Sequence, residues 1–498
     1  MYADVLLRNA TFPTVPDADA LAIRCGVIQA VGSSADLEGT AGPTTRVLNL
    51  EGKAVLPGFI DAHAHFVRVG LERTFYVDLS GAESLDEALE RLRLAARERQ
   101  GAWVVAQGWD ESRWPERRLL ERSDLDRAVP RQPCCAVRVD GHLVVCNTLA
   151  LARCSHPEGE LVDRALGHLR EEAAWTLLGA VLPDRSTLVE AIAAASRYAC
   201  ELGVTAVAEM SGKPEYLRTY LRALEEGMLK TRVFLYIPVE LLEEAAKLGL
   251  KRGFGGELLR IAGVKAFMDG SIGARTAALT APYRDGGTTG TLLLSAGELA
   301  RLWRKASRAG LQMAVHAIGD RAIGEVLRAA ELAGISRYDR HRIEHLELPT
   351  GEHLARMAEL GLVASMQPNF VVNWSGPEKL YEERLGPERD ARIDPHALVH
   401  RRGIPLAFGS DGMPMGPLYG LRGAVSPPHE IQRIPLEEAL RAYTAGAAYS
   451  LFAEDELGEI APGRRADLVV LSADPRTAPL EEIGVEMTIL GGEVVYVR

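Results

Sequence analysis

The sequence has few cysteines and no excess of positive charge. Its 498 residues include 6 cysteines, and none of them stands in a Cys-x-x-Cys pair. We therefore expect neither a disulfide framework nor a sulfur-ligated zinc site, and free thiols favour a reducing, cytoplasmic compartment. The formal net charge of -11 argues against nucleic acid or an anionic membrane as a partner.

Long apolar runs are missing as well. No uninterrupted stretch approaches the ~20 residues that a helix needs to cross a bilayer, and residues 1–9 lack the positively charged start and apolar core of a signal peptide. The hydrophobic content of 47% and the charged content of 25% are those of an ordinary globular enzyme. We expect a small-molecule substrate as the partner, with a homodimer left open.

What the sequence does contain is a regular alternation of strand-like and helix-like segments. From residue 185 to 454, short apolar runs alternate with longer amphipathic runs, and residues 58–78 supply one more strand before them. With that strand the chain has eight strand–helix units, which favour a (β/α)8 TIM-like barrel of the α/β class over an open sheet.

The remaining segments are interpreted as additions to this barrel. Residues 1–57 and 455–498 contain short β segments, each group too small to bury a core alone, so we expect both ends to form one β-sandwich domain. Residues 79–184 lack a clear strand–helix rhythm and hold four of the six tryptophans. We interpret them as an insertion after barrel strand one, at the end of a barrel where loops carry function.

Two histidines at the end of the first barrel strand start a candidate metal site. His63 and His65 are separated by one residue, so on a strand their side chains project from the same face. Two neutral imidazoles on one face make half of a metal site. Taken alone, the pattern fits two structural histidines equally well.

Other polar residues fall at the equivalent ends of later strands. Barrel active sites lie at the carboxyl ends of the strands. Singly, these residues have ordinary explanations, such as a core histidine, a turn aspartate or a salt-bridged lysine. Together they predict a site for one or two divalent ions, with zinc as the expected metal. The six predicted ligands are His63, His65, Lys265, His316, His345 and Asp411.

Lys265 can serve as a ligand only in a modified form. A protonated ammonium has no lone pair, but burial in its apolar strand lowers the pKa of the amine. A neutral amine can take up CO2 to give a carbamate, whose two oxygens would bridge ions about 3.5–4 Å apart. His63, His65 and Asp411 would then serve one side of the site, and His316 and His345 the other.

Motifs along nearly the whole chain now carry a resemblance to a known family. The sequence resembles the amidohydrolase superfamily, in particular its YtcJ-like, amidohydrolase 3 branch. The resemblance implies a metal-dependent hydrolase that acts on amide-like C–N bonds. Where this family often has His-Asp after strand two, the chain has Ala208 and Glu209, which puts substrate contacts from that strand in doubt. The matching stretches are residues 56–65, 108–115, 140–142 with Asn147, 264–271, 315–320, 341–345, 365–368, 408–411 and 457–471.

The expected mechanism uses hydroxide formed at the metal. A bound divalent ion lowers the pKa of water to around 7, and Asp411 would orient the nucleophile and take its proton. His142 is the candidate donor to the substrate carbonyl, although a structural loop histidine is as good an explanation. Trp109 would wall the pocket unless it serves the insertion's own core. Arg275 would bind an anionic substrate group or pin its loop.

The expected substrate is a small N-acyl, N-formyl or cyclic amide with an apolar group, because the tryptophan-rich insertion follows the strand that bears His63 and His65. Two other classes of protein compete with this hypothesis. A ring-amine deaminase on a one-metal barrel uses similar histidines and an aspartate, but a lysine on strand four is not expected there. A non-catalytic scaffold typically loses ligands, whereas this chain has all six.

Overall fold

The computed structural model describes residues 1–98, 103–155, 159–181, 183–210 and 213–498. The N-terminal part consists of short strands connected by turns and one short helix, before the chain enters the barrel at Phe59. Its elements are β1 (Val5–Arg8), β2 (Ala20–Arg24), β3 (Val27–Gly32), α1 (Ser34–Leu37), β4 (Arg46–Asn49) and β5 (Ala54–Pro57).

The first barrel unit leads directly into a separate α/β layer. Strand β6 (Phe59–Ala64) is fully buried and is followed by α2 (Phe66–Thr74). The elements that come next are β7 (Val77–Asp78), α3 (Leu85–Glu98), β8 (Val104–Trp109), α4 (Arg122–Ala128), β9 (Cys134–Arg138), β10 (Leu143–Cys146), α5 (Thr148–Leu151), β11 (Val162–Asp163), β12 (His168–Arg170) and α6 (Glu171–Ala180).

This insertion has more order than the sequence suggested. Its strands form one sheet in the order β11-β12-β10-β9-β8-β7, and β7, β8 and β9 run parallel with α3 and α4 as crossover helices. A strand–helix rhythm therefore exists where we expected none. It is hidden because β8 and β9 are buried on both faces and so show no alternation of polar and apolar residues.

The barrel resumes with α7. Its elements are α7 (Arg185–Glu201), β13 (Val204–Met210), α8 (Pro214–Glu225), β14 (Arg232–Pro238), α9 (Leu242–Lys247), β15 (Leu259–Phe267), α10 (Ala296–Arg308), β16 (Gln312–Ala317), α11 (Asp320–Ala333), β17 (Arg342–His345), α12 (Gly351–Leu360), β18 (Val363–Met366), α13 (Pro368–Trp374), α14 (Leu380–Leu385), α15 (Pro387–Asp390), α16 (His396–Arg401), β19 (Leu406–Phe408), α17 (Pro417–Val425), α18 (Leu436–Ala442) and α19 (Ala445–Ser450). Between β18 and β19 the crossover carries α13 to α16 in place of a single helix.

Eight strands form one parallel sheet in the order β19-β18-β17-β16-β15-β14-β13-β6, which confirms the predicted (β/α)8 barrel. Backbone contacts bring its two edges together, because Ser410 N and Asp411 N donate to His63 O at 3.1 and 2.7 Å. A Cβ at Gly409 would lie 2.4 Å from the backbone nitrogen of His63, so this close approach requires glycine. The closing contact therefore places Asp411 beside His63.

Both chain ends build a second, smaller unit. The last strands are β20 (Leu468–Leu471), β21 (Val485–Leu490) and β22 (Glu493–Val497). They join β5 in a sheet of order β22-β21-β20-β5, and a second sheet has the order β3-β2-β1-β4. Leu7 and Ile23 of one sheet pack with Leu468 and Ile489 of the other in a shared core. Within the described ranges, no helix has the length and apolar character needed to traverse a bilayer.

Candidate metal centre

Three side chains converge where the barrel closes. His63 and His65 come from the end of β6, and Asp411 follows β19. Their ligand atoms all lie within 4.8 Å of one another. Asp411 Oδ1 is 3.2 Å from His65 Nε2 and 3.6 Å from His63 Nε2. Two imidazole nitrogens and one carboxylate oxygen at this spacing suit a divalent metal with nitrogen and oxygen ligands.

The ring of His63 is held in one orientation by a buried carboxylate. Glu344 Oε2 lies 2.6 Å from His63 Nδ1, and because a carboxylate only accepts, Nδ1 carries the hydrogen and Nε2 keeps its lone pair. Burial by itself raises the pKa of Glu344, but the Arg342 guanidinium, which binds both carboxylate oxygens at 2.7 and 2.9 Å, lowers it below its usual value.

Two further histidines stand beside this group. The ring of His345 lies 4.8 Å from that of His63 and 4.5 Å from that of His316, centroid to centroid. His345 Nδ1 donates to Gln367 Oε1 at 2.8 Å, so Nε2 keeps its lone pair. His316 Nε2 donates to Gly270 O at 3.1 Å, which leaves Nδ1 as its ligand atom.

All four imidazoles are neutral. Burial lowers the pKa of His63, His65, His316 and His345 well below the ordinary histidine value, and neighbouring cations and imidazoles lower it further. A neutral ring offers the lone pair that a metal requires. The protonation state of the four rings is therefore the one that a metal centre needs.

Lys265 near the end of β15 completes the predicted set. Its side chain is buried, and burial lowers the pKa of the amine to about 8. Among the described residues, Lys265 Nζ, His63 Nε2 and Asp411 Oδ1 are buried polar atoms without a hydrogen-bond partner. Buried polar atoms are rarely left unpaired, and these three belong to residues that the sequence predicted as metal ligands. The residues present thus fit a metal ion, and the full set of six donors stays a prediction.

Asp411 has a constrained backbone and a perturbed carboxyl group. Its φ of 55° lies in the left-handed region, which non-glycine residues adopt only when the surroundings hold them there. Burial raises the pKa of Asp411 to about 6, against the opposing effect of the nearby Arg68 and Lys265. Next to it, the Ser410 hydroxyl donates to Asp61 Oδ2 at 2.5 Å. These contacts fix the residue on which the expected chemistry depends.

Glu209 lies near the end of strand two, β13, where the family often has His-Asp, and its contacts show what this residue does in the present chain. Its Oε2 accepts hydrogen bonds from the backbone nitrogens of Phe66 and Val67 at 2.6 and 3.2 Å and from the Tyr220 hydroxyl at 2.9 Å. The carboxyl group thus binds the first turn of α2, directly after His65. Glu209 therefore holds the start of the helix that follows His65.

His142 from the insertion lies over the barrel end. Its ring centroid is 5.5 Å from that of His316, and its Nδ1 donates to Glu171 Oε2 at 2.8 Å. Burial by itself lowers the pKa of His142, but the Glu171 carboxylate outweighs it and raises the pKa to about 9. Thr276, in the loop after β15, donates to Glu171 Oε1 at 2.5 Å and so ties the insertion to the barrel.

Two concave regions lie at this end of the barrel, and the smaller one reaches His316, His345 and Asp411. A cavity of about 30 Å³ is lined by His142, His316, His345 and Asp411. A much larger cleft of about 960 Å³ extends between the insertion and the helices after β18 and β19. Trp374, Leu380 and Met413 line both. Because the cavity is far smaller than a typical ligand site, a substrate must reach past these residues into the cleft.

Two predicted substrate contacts require correction. The Trp109 ring is fully buried in the insertion's own core, where it stacks on Trp114 with centroids 5.9 Å apart and donates to Ala136 O at 3.1 Å. It lines neither the cavity nor the cleft. Arg275 forms a two-bond ion pair with Asp285 at 2.6 and 3.1 Å, so it pins its loop.

Sequence reasoning missed the aromatic wall and the residues that orient the imidazoles. Phe370 stacks on His345 at 6.0 Å, and Trp374 lies 4.8 Å from Phe370. Glu344 and Gln367 lay inside motifs of the resemblance, which was the available signal, but their roles depend on contacts across strands. No sequence signal marked Glu347, which also lines the cavity.

A sequence profile described as "Amidohydrolase family" matches residues 46–496. The chain belongs to this family. The resemblance drawn from the motifs is thereby confirmed, including its YtcJ-like branch, since a putative amidohydrolase YtcJ of Bacillus subtilis is 30% identical over 96% of this chain and 96% of its own length. An N-substituted formamide deformylase of Arthrobacter pascens is 28% identical, over 99% of this amidohydrolase and 98% of its own length.

A solved structure agrees with the fold. The crystal structure of a metal-dependent hydrolase from Pyrococcus furiosus superimposes with a TM-score of 0.77 and 32% sequence identity. The match covers 95% of this chain and 99% of that chain. The barrel and its additions are therefore an architecture that this amidohydrolase shares with a protein of nearly one-third identical sequence.

Proposed function

We propose that this amidohydrolase is a metal-dependent enzyme that hydrolyses a C–N bond in an amide, formamide or cyclic amide of a small molecule. One observation carries the proposal. His63, His65 and Asp411 converge at the carboxyl end of the barrel with the neutral rings of His316 and His345 beside them. Buried atoms of His63, Asp411 and Lys265 have no hydrogen-bond partner among the described residues. The name of the formamide deformylase relative supports the type of bond.

The ligands divide into two groups. His63, His65 and Asp411 would hold one ion, His316 and His345 would hold a second, and Lys265 as a carbamate would serve both. Zinc is the proposed metal because the donors are imidazole nitrogens and carboxylate-type oxygens. A bound ion of this kind supplies a Lewis acid and lowers the pKa of a water ligand to about 7.

Lys265 would join the site as a carbamate. Its pKa of about 8, lowered by burial, leaves part of the amine neutral near physiological pH. The neutral nitrogen attacks CO2, an N–C bond forms and one proton is released, which turns a neutral amine into an anionic oxygen ligand. This step would remove the cost of a buried ammonium beside neutral imidazoles.

Asp411 is the proposed proton carrier. Its carboxylate takes a proton from the attacking water and then delivers it to the leaving nitrogen as the C–N bond breaks, so that the products are an acid and an amine. Burial raises the pKa of Asp411 to about 6, which suits a group that gains and loses a proton near neutral pH. The two backbone hydrogen bonds from residues 410 and 411 to His63 O hold it in place.

His142 is the proposed donor to the substrate carbonyl. Because Glu171 occupies its Nδ1, the remaining donor of the ring is Nε2–H, and the residue lines the cavity. A charged imidazole placed where negative charge develops on the carbonyl oxygen stabilises the transition state. The Glu171 pair keeps the ring charged and oriented, in the way that a carboxylate orients a catalytic histidine.

The lining favours substrates with an apolar or aromatic group. Phe370 and Trp374 face the cavity, and Trp374 with Met413 continues into the cleft. A small N-acyl, N-formyl or cyclic amide would place its carbonyl at the metal centre and its apolar group along this wall. The aromatic wall thus comes from the barrel helices and not from Trp109.

The test is metal analysis together with a substrate panel. Protein purified without added metal is examined by elemental analysis, and N-acyl amines, formamides, cyclic ureides, esters and aminopurines are offered to it. We expect bound zinc and chelator-sensitive hydrolysis of amide-type compounds. Less than about a tenth of an equivalent of every transition metal, with activity unaffected by chelator, would defeat the proposal. Turnover of ring amines alone, with ammonia released, would favour the deaminase.

The proposal includes a reducing, cytoplasmic setting. It is supported by six free cysteines, several of them buried and none within disulfide contact. Alkylation of the protein in freshly lysed cells, followed by mass spectrometry, should label the thiols without prior reduction. The expected partner is a small molecule, and sedimentation measurements would decide whether a homodimer forms.

A further inference from the structure

Glu347 is a buried carboxyl group in the cavity that the proposed hydrolysis does not use. It follows β17 by two residues, and only 2% of its surface is exposed. It lines the cavity together with His142, Asp411 and Phe370. The Tyr381 hydroxyl binds the carboxyl group, yet Glu347 Oε2 has no hydrogen-bond partner among the described residues. A buried oxygen without a partner needs a reason.

Most other polar groups of this cavity already have a partner or a role. Asp140 Oδ2 accepts hydrogen bonds from Arg138 and from the Ser271 hydroxyl, at 2.9 and 2.8 Å. His142 Nδ1 is bound to Glu171. His316, His345 and Asp411 belong to the candidate metal centre. Glu347 Oε2 is thus an acceptor that remains available to a ligand in the described part of the cavity.

The lining also indicates which chemical group would meet this oxygen. No arginine or lysine side chain from the described ranges lines the cavity, whereas Asp140, Glu347 and Asp411 do. A substrate carboxylate beside Glu347 would therefore face an acidic group, since the charged ring of His142 is already assigned to the scissile carbonyl. The rings of Phe370 and Trp374 beside Glu347 favour a flat group over a branched one.

We propose that Glu347 Oε2 accepts a hydrogen bond from a substrate N–H group outside the scissile bond. The inference rests on the proposed function, since it concerns the same cavity, and it narrows the substrate class. The substrate would be an amide-type compound with a flat organic group that carries a second nitrogen bearing hydrogen. Compounds with a methyl group or a carboxylate at that place would bind less well, because a buried acceptor would stay unpaired or face an anion.

Binding of three amines of equal shape tests this directly. The probes are para-phenylenediamine, para-toluidine and para-aminobenzoate, which hydrolysis cannot consume and which differ only in one para group. Calorimetry on the zinc-loaded enzyme should give the diamine an affinity about 10- to 100-fold higher than para-toluidine, with para-aminobenzoate weakest. Equal affinities for the diamine and the toluidine, or no binding of any probe, would overturn the inference.

Three variants assign the preference to Glu347 Oε2. Glu347→Leu should abolish the difference between diamine and toluidine, and Glu347→Gln should keep part of it, because an amide oxygen still accepts. Tyr381→Phe removes the other hydrogen bond of the same carboxyl group and should leave the preference intact. A preference that survives in Glu347→Leu would contradict the inference, and melting temperatures establish that each variant is folded.

Kinetics on the matching formanilides separate this inference from the proposed function. With para-amino formanilide, Glu347→Leu should raise KM about 10- to 100-fold and leave kcat within about threefold, because the contact is equally strong in the ground state and the transition state. If zinc is absent and no formanilide is hydrolysed while the diamine preference follows Glu347, the hydrolase proposal fails alone. Zinc-dependent hydrolysis without any preference for the diamine would mean that the inference about Glu347 fails while the hydrolase proposal stands.

Discussion

Four histidines of the barrel and one histidine of the insertion meet at the barrel end, but they differ in charge: the barrel rings are neutral and the insertion ring is charged. Burial lowers the pKa of the four imidazoles on the barrel strands, whereas His142 from the insertion has a pKa of about 9 although it is largely buried too. His142 and His316 differ in their partners: His142 faces the carboxyl group of Glu171, while His316 faces the carbonyl of Gly270. Burial keeps His316 neutral, whereas at His142 the carboxylate outweighs burial. At His63 the Glu344 carboxylate does not outweigh it, because burial is joined there by the nearby Lys265 and Arg342.

The same two regions differ in how their aromatic residues are used. Trp109 and Trp114 of the insertion stack on each other inside its core. Trp374, in the barrel segment after β18, lines both the cavity and the cleft. The insertion therefore contributes a charged histidine and keeps Trp109 and Trp114 for its own core, whereas the barrel contributes neutral histidines and the aromatic wall.

The largest expected effect comes from the barrel side, at Asp411. Asp411→Asn should keep the fold and most of the metal but lower kcat by at least about 1,000-fold, because both the proton carrier and an anionic ligand are lost. Steady-state kinetics with elemental analysis measure this. Asp285→Asn, a carboxylate outside the two cavities, is the matched control and should stay within about twofold. Near-native turnover of Asp411→Asn would remove Asp411 from the mechanism.

The second largest effect is expected at Lys265, because its removal should affect the binding of one of the two ions and so distinguish the two groups of ligands. Lys265→Ala should lower the metal content from two ions per chain to one and reduce kcat about 100-fold, and millimolar propionate should restore part of both, since a carboxylate can replace the missing bridge. Lys305→Ala, on the exposed side of α10, serves as the control. A protein with a single ion before and after the substitution would favour a one-metal site with an unmodified Lys265.

The charged state of His142 predicts a pH dependence. Its folded pKa of about 9 lies above its ordinary value of 6.5, so the His142–Glu171 pair contributes fully below about pH 6.5 and is lost as the pH rises through 9. The kcat profile should therefore fall on the alkaline side near pH 9. Glu171→Gln should move that fall towards lower pH. His142→Gln should reduce kcat about 100-fold and abolish the alkaline fall. An alkaline limb unchanged in both variants would exclude His142 as the donor.

The smallest effects distinguish the two sets of tryptophans. Trp374→Ala should raise KM about 10-fold with a modest change in kcat, because the residue lines the route from the cleft to the cavity. Trp109→Phe should leave kcat/KM within about twofold and lower the free energy of unfolding by about 2 kcal/mol, through a small void and a lost hydrogen bond to Ala136 O. If Trp109→Phe raised KM more than Trp374→Ala does, the tryptophan of the insertion and not that of the barrel would contact the substrate.

Much of the barrel and of its candidate ligands could be predicted from the sequence. Each candidate ligand lies at or near the end of an apolar strand, and a parallel barrel brings those ends to one rim whatever the details of packing. His63, His316 and Asp411 therefore needed only the order of strands along the chain. The hidden rhythm of the insertion was missed because strands buried on both faces show no alternation.

The charge and orientation of the site could not be predicted in the same way. Glu171 determines the charge of His142 from 29 residues away in sequence, and Glu344 orients His63 from 281 residues away. The role of Glu209 was open from the sequence alone. Its carboxyl group binds the first turn of α2, a contact that depends on β13 and α2 lying side by side. Contacts of this kind depend on which residues fold against each other, and no local pattern records them.

The sequence by itself determined the type of barrel and the elements that carry the ligands, because strand periodicity and strand ends are local properties of the chain. Only the tertiary structure decided which imidazoles are neutral, which is charged, which rings line the cavity and which of the described carboxyl oxygens there lack a hydrogen-bond partner. Those outcomes follow from burial and from partners distant in sequence, and the energy of a buried polar group depends on both.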